Sequence, residues 1–221
     1  MKLNRIAVIP ARYASTRFPY KLMQMLGDKT VIRHTYDNTL ETKLFDDVWV
    51  VTDNELILND IISNGGKAMM SKKNHESGSD RIAEAVENMD VDIILNVQGD
   101  EPFIDADSLS KLLQVFDDQS VQVASVMKKF TDHSLIHNPN LVKVVVDKNM
   151  NSLFFSRSAI PFQRDQDCQP NYFEHIGVYA FRKKALLQFT SWQPTPLEIA
   201  EKIECLRYLE NGIPLKMVLT E

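Results

Sequence analysis

The chain has 221 residues, of which 44% are hydrophobic and 25% are charged, so it is long enough to bury a core and is typical of a globular protein. Its net charge of −5 argues against general nucleic-acid binding. Two distant cysteines, Cys168 and Cys205, indicate neither a disulfide framework nor a zinc site. No apolar run approaches the length of a membrane span, and the first residues do not resemble a signal peptide. We therefore expect a cytoplasmic protein with no membrane partner and no nucleic-acid partner.

The first half of the chain alternates predicted strands with predicted helices. Short apolar runs predict strands at residues 5–9, 48–52, 67–70 and 91–97. Apolar residues at helical spacing predict one helix with Ile32, Tyr36, Leu40 and Leu44, a second over residues 54–64, and a third with Ile82, Ala85, Val86 and Met89 inward. Repeated strand–helix–strand units predict an α/β fold with a mostly parallel central sheet.

A basic loop, Pro10 to Lys21 (PARYASTRFPYK), follows the first predicted strand. It carries three cations and two hydroxyl groups: Arg12, Arg17, Lys21, Ser15 and Thr16. The loop lies where open α/β sheets bind ligands, and it contains no glycine, so a phosphate would be held by arginine and lysine side chains. The pattern suits a polyphosphate, and an ordinary solvated basic loop is the alternative.

The strand predicted at residues 91–97 is followed by the acidic turn NVQGDEP. Its Asp100 lies at the same edge of the sheet as the basic loop. A carboxylate at a strand end is a natural ligand for Mg²⁺, which phosphoryl and nucleotidyl transfer require. The alternative is that Asp100 or Glu101 caps the next helix, whose predicted inward face is Leu109, Leu112, Leu113 and Phe116. Asp105 and Asp107 are closer to that helix start and fit the capping role better.

The second half is less regular. A helix is predicted from Pro196 to about Glu210, with Ile199, Ile203, Leu206 and Leu209 inward and with Glu201, Glu204 and Cys205 on a neighbouring face. A hairpin-like segment from Phe154 to Tyr179 carries Phe162 and Tyr172 as exposed apolar residues that could cover a site or contact a second subunit. Arg157 could be an ordinary charged residue at a strand end, or it could bind the carboxylate of a sugar acid. His175 could be a structural residue or part of the site.

Taken together, these stretches resemble the 3-deoxy-manno-octulosonate (KDO) cytidylyltransferases of the nucleotide-sugar transferase superfamily. The resemblance is carried by PARYASTRFPYK and NVQGDEP and continues through NHESGSDRIAEA, NPNLVKVVVD, LFFSRSAIPF, HIGVYAFR and WQPTPLE. It covers nearly the whole chain in order. It implies an enzyme that joins CTP to KDO, releases pyrophosphate and supplies activated sugar for lipopolysaccharide.

The resemblance also implies roles for individual residues. The CTP phosphates would be held by Arg12, Ser15, Thr16, Arg17 and Lys21. The nucleoside would lie near Gln98 and the region that contains Ser71, Lys72 and Ser77. Asp100 would bind Mg²⁺, with Lys21 and Arg17 sharing the catalytic work. The sugar acid would face Arg157, His175, Tyr179 and Glu204. Positioning and electrostatics would carry the reaction, so no covalent nucleophile is required.

On this reading residues 1–221 form a single cytidylyltransferase domain. Residues 1–130 would be a three-layer nucleotide-binding part, and residues 140–221 a smaller β-rich part that binds the sugar and forms a homodimer.

The sequence departs from the family pattern in three places. Tyr20 stands where the basic loop has glycine, so we expect its backbone to avoid conformations that glycine alone tolerates easily. Cys205 replaces a glutamine. The family continues into a VDTPEDL-like segment with a second metal-binding aspartate, which is absent from this chain. Mg²⁺ can still be held through water and substrate phosphates, so we expect activity that is weaker. Two alternatives therefore stay open: a cytidylyltransferase for a related acid sugar (amino-KDO or a nonulosonic acid), and a non-catalytic nucleotide-binding paralogue.

Overall fold

The computed structural model describes residues 3–13, 20–75, 77–102, 105–165 and 167–220. The chain forms two compact units. Unit one contains Met1–Leu109 and Ala180–Thr190, and unit two contains Ser110–Tyr179 and Ser191–Glu221. The chain therefore leaves unit one, returns to it for one short stretch, and ends in unit two.

The strands of unit one form a parallel sheet and a small hairpin. Their bounds are β1 Arg5–Ala11, β2 Met25–Leu26, β3 Lys29–Thr30, β4 Asp47–Thr52, β5 Ala68–Met70 and β6 Ile93–Asn96. β2 and β3 pair antiparallel. The other four are parallel, in the order β6–β1–β4–β5. Val8 of β1 lies opposite Trp49 on one side and Asn96 on the other, so β1 is central in this set and its carboxyl end lies beside those of β4 and β6.

Helices connect the parallel strands of unit one. Their bounds are α1 Val31–Glu41, α2 Glu55–Ser63, α3 Gly78–Val86, α4 Ala106–Gln114 and α5 Lys183–Ser191, of which α4 and α5 end in unit two. The side chains of Thr30, Asn54 and Ser77 each accept a backbone N–H from the first turn of the helix that follows. Asp105 accepts the N–H groups of Asp107 and Ser108 at the start of α4. The predicted capping role of Asp105 is therefore confirmed.

Unit two carries the remaining elements. Their bounds are β7 Val123–Lys129, β8 Lys143–Val146, β9 Ser152–Ser156, β10 Phe173–Arg182, α6 Pro196–Glu201, α7 Leu206–Glu210 and β11 Lys216–Thr220, with β10 passing into unit one at Ala180. β11 is parallel to β7, whereas β8 is antiparallel to both β9 and β10. The predicted α/β class with a mostly parallel sheet is confirmed, and β2–β3, β8–β9 and β8–β10 are antiparallel pairs.

The predicted core strands are confirmed, and β1 is longer than the sequence indicates. Ala7, Val8 and Ile9 are fully buried, as are Ile94 and Leu95 in β6. The strand does not stop at the proline, since β1 continues through Pro10 to Ala11, paired with Val51 and Thr52. A proline is tolerated there because the pairing of β1 with β6 ends at Val8, so no ladder hydrogen bond is required from residue 10 on that side.

Two predicted helix faces are wrong in part. In α1, Ile32 and Tyr36 are buried as predicted, but Leu40 is exposed and Leu44 lies beyond the helix end. The inward face is completed by Thr35 and Thr39. The Thr39 hydroxyl donates to the Thr35 carbonyl, and the single proton of the Thr35 hydroxyl is shared between the carbonyls of Val31 and Gly99. Because backbone carbonyls accept these hydroxyl groups, threonine can replace leucine in the core.

In α3 the prediction fails for a different reason. Ile82 and Val86 are buried, but Met89 lies beyond the helix and Ala85 is only half-buried. Arg81 is buried in the helix instead. The inward face of Leu109, Leu112, Leu113 and Phe116 in and after α4 is confirmed.

The helix predicted from Pro196 to Glu210 is two helices. α6 ends at Glu201 because Lys202 takes the left-handed conformation, with φ of 54°. Ile203 and Leu206 are buried as predicted, but Ile199 is exposed and Leu209 is only half-buried. The chain turns at this break between α6 and α7. Apolar residues spaced at the helical period of 3.6 residues across the break therefore do not lie on one helix face.

The segment from Phe154 to Tyr179 is not a hairpin. β9 and β10 do not pair with each other but each pairs with β8. Tyr172 is buried rather than exposed, packed with Phe130 and Ile136, and its carbonyl accepts the Phe130 N–H. Phe162 is 87% exposed, as predicted.

Candidate active site

Lys21 and Asp100 form an ion pair in unit one. The Lys21 ammonium donates to the Asp100 carboxylate at 2.7 Å, and both side chains are about half exposed. Asp100 follows β6, whereas Lys21 begins a short 3₁₀ helix after the basic loop. The structure therefore brings together two residues that are 79 positions apart and that the sequence assigns to phosphate and metal binding.

The acidic turn is held in place by α1. Thr35 donates to the Gly99 carbonyl at 3.0 Å, and the Asn38 amide donates to the Pro102 carbonyl. Gly99 packs closely on β1, because a Cβ there would lie 3.2 Å from the Pro10 carbonyl oxygen. Glycine is thus required at this position by the close approach of two backbone segments, and the approach fixes Asp100 beside the end of β1.

The Lys21–Asp100 ion pair is weak enough for Lys21 to exchange Asp100 for another anionic partner. An ion pair between half-exposed groups contributes only about 0–1 kcal/mol to stability, because water solvates both charges well. Phosphate oxygens could therefore replace Asp100 as the partner of Lys21 at low cost. The freed carboxylate would then be available to a divalent cation.

The described ends of the basic loop are tied together and to β4. The Tyr13 N–H donates to Asp53 at 3.1 Å, and the rings of Tyr13 and Tyr20 lie 4.6 Å apart. Arg12 is exposed. Ser15, Thr16 and Arg17, which the sequence assigns to the CTP phosphates, lie outside the described residues, so their roles stay a prediction.

The expectation for the Tyr20 backbone is wrong. Tyr20 has φ of 59° and ψ of 24°, the left-handed region that glycine enters most easily. A non-glycine residue there is strained by about 1–2 kcal/mol. The ring contact with Tyr13 acts in the opposite direction, because aromatic pairs attract beyond simple burial.

The segment from Ser71 to Ser77 is the second candidate nucleotide element, and we call it the nucleoside loop. The Ser71 hydroxyl accepts from the Arg81 guanidinium at 3.0 Å, and Ser77 caps α3. The Lys72 N–H donates to both oxygens of Glu84 at 3.2 Å. Gln98, the remaining residue assigned to the nucleoside, is exposed directly after β6.

Glu84, on α3, holds the nucleoside loop in place. Its carboxylate also accepts from the buried His75 ring at 2.6 Å. Burial acts to raise the pKa of the Glu84 carboxyl, but the hydrogen bonds from His75 and the Lys72 backbone outweigh it and hold the pKa below its usual value. Glu84 is therefore ionised at neutral pH. Sequence reasoning missed it, since an acid on a helix usually faces solvent.

A groove of about 490 Å³ lies beside the nucleoside loop in unit one. Lys72 and Lys73 line it on the loop side, and Asp80 and Glu84 line it on the α3 side. Leu187 of α5 supplies part of the apolar floor. Among the residues that the structure describes, no group of three or more histidine, cysteine or acidic side chains is arranged to hold a metal ion by itself.

The residues assigned to the sugar all lie in unit two. His175 is buried on β10, and its Nε2 lies 2.9 Å from the Ser125 hydroxyl. Ser125 has one proton, which the Val178 carbonyl accepts at 2.8 Å or the Ile176 carbonyl at 3.2 Å. The imidazole is therefore the donor, protonated at Nε2. Burial lowers the pKa of His175 to about 4, so the ring is neutral at physiological pH.

Tyr179, which is partly buried, lies beside the buried Cys205. Their side chains are hydrogen-bonded to each other, and the Tyr179 ring lies 5.4 Å from that of His175. Burial raises the pKa of Tyr179 well above its usual value, and the neighbouring Cys205 and Glu204 act in the same direction. Burial likewise raises the pKa of the Cys205 thiol. Both groups therefore stay protonated and act as neutral hydrogen-bonding groups rather than as nucleophiles.

Arg157 is engaged by backbone carbonyls. Its guanidinium donates to the carbonyls of Glu201 at 2.6 Å, Pro139 at 2.8 Å and Lys202 at 3.2 Å. The Arg157 N–H also donates to the Glu201 carboxylate at 2.9 Å. Arg157 thus fastens the end of β9 to the end of α6, and a role towards the sugar stays a prediction.

Lys143 is a second cation in this part of unit two. It is fully buried, and its ammonium donates to the carbonyls of Asn138 at 3.0 Å, Leu141 at 2.8 Å and Arg157. Burial lowers the pKa of Lys143, while nearby Glu201 acts the other way. Sequence reasoning missed Lys143 because a lysine in a strand usually projects into solvent.

Residues 6–217 match the family model described as cytidylyltransferase. The chain is 61% identical over 218 residues to the 3-deoxy-manno-octulosonate cytidylyltransferase of Flavobacterium johnsoniae, covering 97% of this chain and 89% of the relative. It is 54% identical over 221 residues to the enzyme of the same name from Christiangramia forsetii, covering 98% of this chain and 89% of the relative.

Solved structures give the same picture. A structure of CMP:2-keto-3-deoxy-manno-octonic acid synthetase complexed with CTP is 35% identical, with a TM-score of 0.93, and the match covers 98% of this chain and 89% of that one. The 4-diphosphocytidyl-2C-methyl-D-erythritol synthase of Anaerococcus prevotii shares the fold at 17% identity, with a TM-score of 0.62, over 98% of this chain and 87% of that one. The family model and the near-full-length relatives show that the chain is a cytidylyltransferase. The chain belongs to that family, among the 3-deoxy-manno-octulosonate cytidylyltransferases.

Proposed function

We propose that this protein joins CTP and KDO to give CMP-KDO and pyrophosphate. The observation that carries the proposal is the near-full-length identity of 61% to a relative with that name, together with a TM-score of 0.93 to a synthetase complexed with CTP. The Lys21–Asp100 pair supports it, because a cation of the kind that binds phosphate lies beside a carboxylate of the kind that binds Mg²⁺. The product would serve as the activated sugar for lipopolysaccharide.

The residues divide the chemical work. Lys21, with Arg12 and Arg17 of the basic loop, would neutralise the charge that builds on the departing pyrophosphate. The anomeric hydroxyl of KDO would attack the α-phosphorus and pass its proton to solvent water, as the new P–O bond forms and the bond to the departing pyrophosphate breaks. Neutral His175 and Tyr179 would orient the sugar by hydrogen bonds, and Glu204 and Arg157 would complete its site. No covalent intermediate is needed, since positioning and charge stabilisation account for most of such a reaction.

Asp100 fits a magnesium site of one protein carboxylate. Mg²⁺ is usually bound by one or two carboxylates together with water and substrate phosphates, so a cage made by the protein alone is not required. A half-exposed carboxylate that is released when Lys21 turns to a phosphate meets that need. When bound, the ion would act as a Lewis acid on the phosphate oxygens.

Unit two offers a surface for a second copy of the chain. Phe162 is 87% exposed, and Leu153, on β9, is 61% exposed. The family resemblance implies a homodimer, and we propose one in which these exposed apolar side chains contribute to the interface. Within the described residues no helix is long and apolar enough to cross a membrane. We place the reaction in the cytoplasm, where CTP is supplied.

The proposal is tested by pyrophosphate release from the full chain with CTP, KDO and Mg²⁺. Parallel reactions replace CTP by UTP or ATP, replace KDO by an amino-KDO or a nonulosonic acid, and add a chelator. We expect release only with CTP, KDO and the metal together. Release with another acid sugar but not with KDO would support the related-sugar enzyme, and CTP binding without release on any sugar would support a non-catalytic paralogue.

A further inference from the structure

Arg81 is a buried cation that reaches two separate segments of unit one. Its side chain is 1% exposed, on α3. One terminal nitrogen donates to the Ser71 hydroxyl at 3.0 Å, and the other donates to the Asp53 carboxylate at 2.9 Å. The planar guanidinium fixes both bonds in one geometry, so the position of the nucleoside loop at Ser71 depends on that of Asp53.

Asp53 extends this connection to the basic loop. It follows β4, and the carboxylate oxygen that does not bond Arg81 accepts the Tyr13 N–H at 3.1 Å. A continuous path of hydrogen bonds therefore runs from Tyr13 through Asp53 and Arg81 to Ser71. Each link is a charge-assisted bond or a bond to a charged group, which is stronger than a bond between neutral groups.

Close packing supports the same connection. A Cβ at Gly78, the first residue of α3, would lie 3.3 Å from the Pro10 side chain. The start of α3 is thus set directly against the end of β1, where the basic loop begins. This packing and the bonds of Arg81 together hold the described start of the basic loop, at Pro10 and Tyr13, in a fixed place relative to Ser71.

We propose that Arg81, acting with Asp53, is a positioning residue that couples the basic loop to the nucleoside loop. The inference rests on the proposed function, which assigns the first loop to the CTP phosphates and the second to the nucleoside. Arg81 touches neither group. It couples the phosphate site to the nucleoside site, so that contacts with both loops contribute together to the affinity for CTP.

A purely structural ion pair would behave differently. Its loss would lower the stability of unit one, and once the protein is folded CTP and its fragments would all keep their affinities. Loss of a coupling residue would weaken the binding of only the ligand that contacts both loops. CTP would bind more weakly, whereas cytidine alone and pyrophosphate alone, which each need a single loop, would bind as before.

The test uses the full chain with Asp53→Asn, which keeps an acceptor for the Tyr13 N–H but removes the charge that faces Arg81. Dissociation constants for CTP, cytidine and pyrophosphate are measured by calorimetry or NMR titration. We expect the constant for CTP to rise about tenfold, in the range of coupling between residues of one hydrogen-bond network. The constants for the two fragments should stay within about twofold of the unchanged protein.

Two further variants provide a second test and a control. Arg81→Lys keeps the charge but loses the planar fork that reaches both Ser71 and Asp53, and we expect the same selective loss for CTP. Glu198→Gln breaks a comparable pair in unit two, where Arg207 donates to Glu198 at 2.5 and 2.8 Å. It should lower the thermal midpoint while the affinity for CTP is unchanged.

The inference is overturned if Asp53→Asn and Arg81→Lys bind CTP as the unchanged protein does, or if CTP and both fragments weaken by the same factor. The readout involves no sugar. A wild-type chain that binds CTP but releases no pyrophosphate with KDO would therefore contradict the proposed function, while the affinities would still decide the role of Arg81.

Discussion

At the scale of single residues, several side chains do work that their chemical type does not suggest. Thr35 joins α1 to the acidic turn through one hydroxyl group, and Glu84 fixes the nucleoside loop by accepting from His75 and from the Lys72 backbone. None of these contacts follows a local pattern, because the partners are distant in sequence. The edge residues Lys21 and Asp100 could be predicted, since each follows a recognisable strand. The residues that hold these two in position could not be predicted.

Asp100→Asn should remove most metal-dependent activity and leave the fold intact. The amide keeps the size of the side chain but not the negative charge, so we expect kcat/KM to fall by about a hundredfold or more. Glu101→Gln is the matched control, because Glu101 is the neighbouring exposed acid, and its activity should stay close to that of the unchanged enzyme. Equal activity in both variants would remove Asp100 from the metal site.

The strain at Tyr20 can be measured by comparing Tyr20→Gly with Tyr20→Ala. Both variants lose the ring contact with Tyr13, and only glycine relieves the positive φ. We expect the free energy of unfolding to be about 1 kcal/mol higher for the glycine variant than for the alanine variant. Denaturant titration gives both values. Equal stabilities would show that the backbone at this position is not strained.

His175 makes the stability of the fold depend on pH. Its pKa of about 4 in the folded chain lies below the usual value of 6.5, so the unfolded chain binds the proton more readily. The contribution of the neutral ring is fully present above about pH 6.5 and is lost as the pH falls towards 4, by about 3 kcal/mol in total.

In His175→Gln this part of the pH dependence should be absent, although the amide can still donate to Ser125. The measurement is the free energy of unfolding at pH 4.5 and at pH 7 for both proteins. The same loss on acidification in both would show that His175 is not the titrating group.

At the scale of elements, strands were more predictable than helix faces. β4 and β6 appear where apolar runs predict them, because a buried parallel strand is apolar on both sides. The face of α1 was misjudged because threonines that bond to their own helix fill core positions. The break between α6 and α7 was missed because a lysine rarely ends a helix in the left-handed conformation, which usually requires glycine.

That break predicts a stabilising substitution. Lys202→Gly should raise the free energy of unfolding by about 0.5–1 kcal/mol, because glycine adopts the φ of 54° without steric cost. Lys202→Ala is the matched control and should bring no gain, since it removes the same side chain but keeps the Cβ. Equal effects of the two substitutions would trace the change to the lost lysine side chain and not to the backbone.

At the scale of the whole molecule, the residues assigned to the two substrates fall in different units. Lys21, Asp100 and the nucleoside loop belong to unit one, whereas Arg157 and His175 belong to unit two. The sequence showed the α/β class and the resemblance to the KDO cytidylyltransferases because both depend on short motifs with fixed residues. It did not show the path through Arg81 or the burial of Lys143, because a sequence pattern assigns charged residues to the surface.

The central claim is that this chain forms a bond between CMP and KDO, and the product itself tests it most directly. Phosphorus NMR and mass spectrometry would follow a reaction of the full chain with CTP, KDO and Mg²⁺, and three reactions that each lack one component. We predict a new phosphodiester signal and the mass of CMP-KDO, with equimolar pyrophosphate, in the complete reaction alone. CTP left intact in the complete reaction, or split to CMP and pyrophosphate without a sugar ester, would contradict the account.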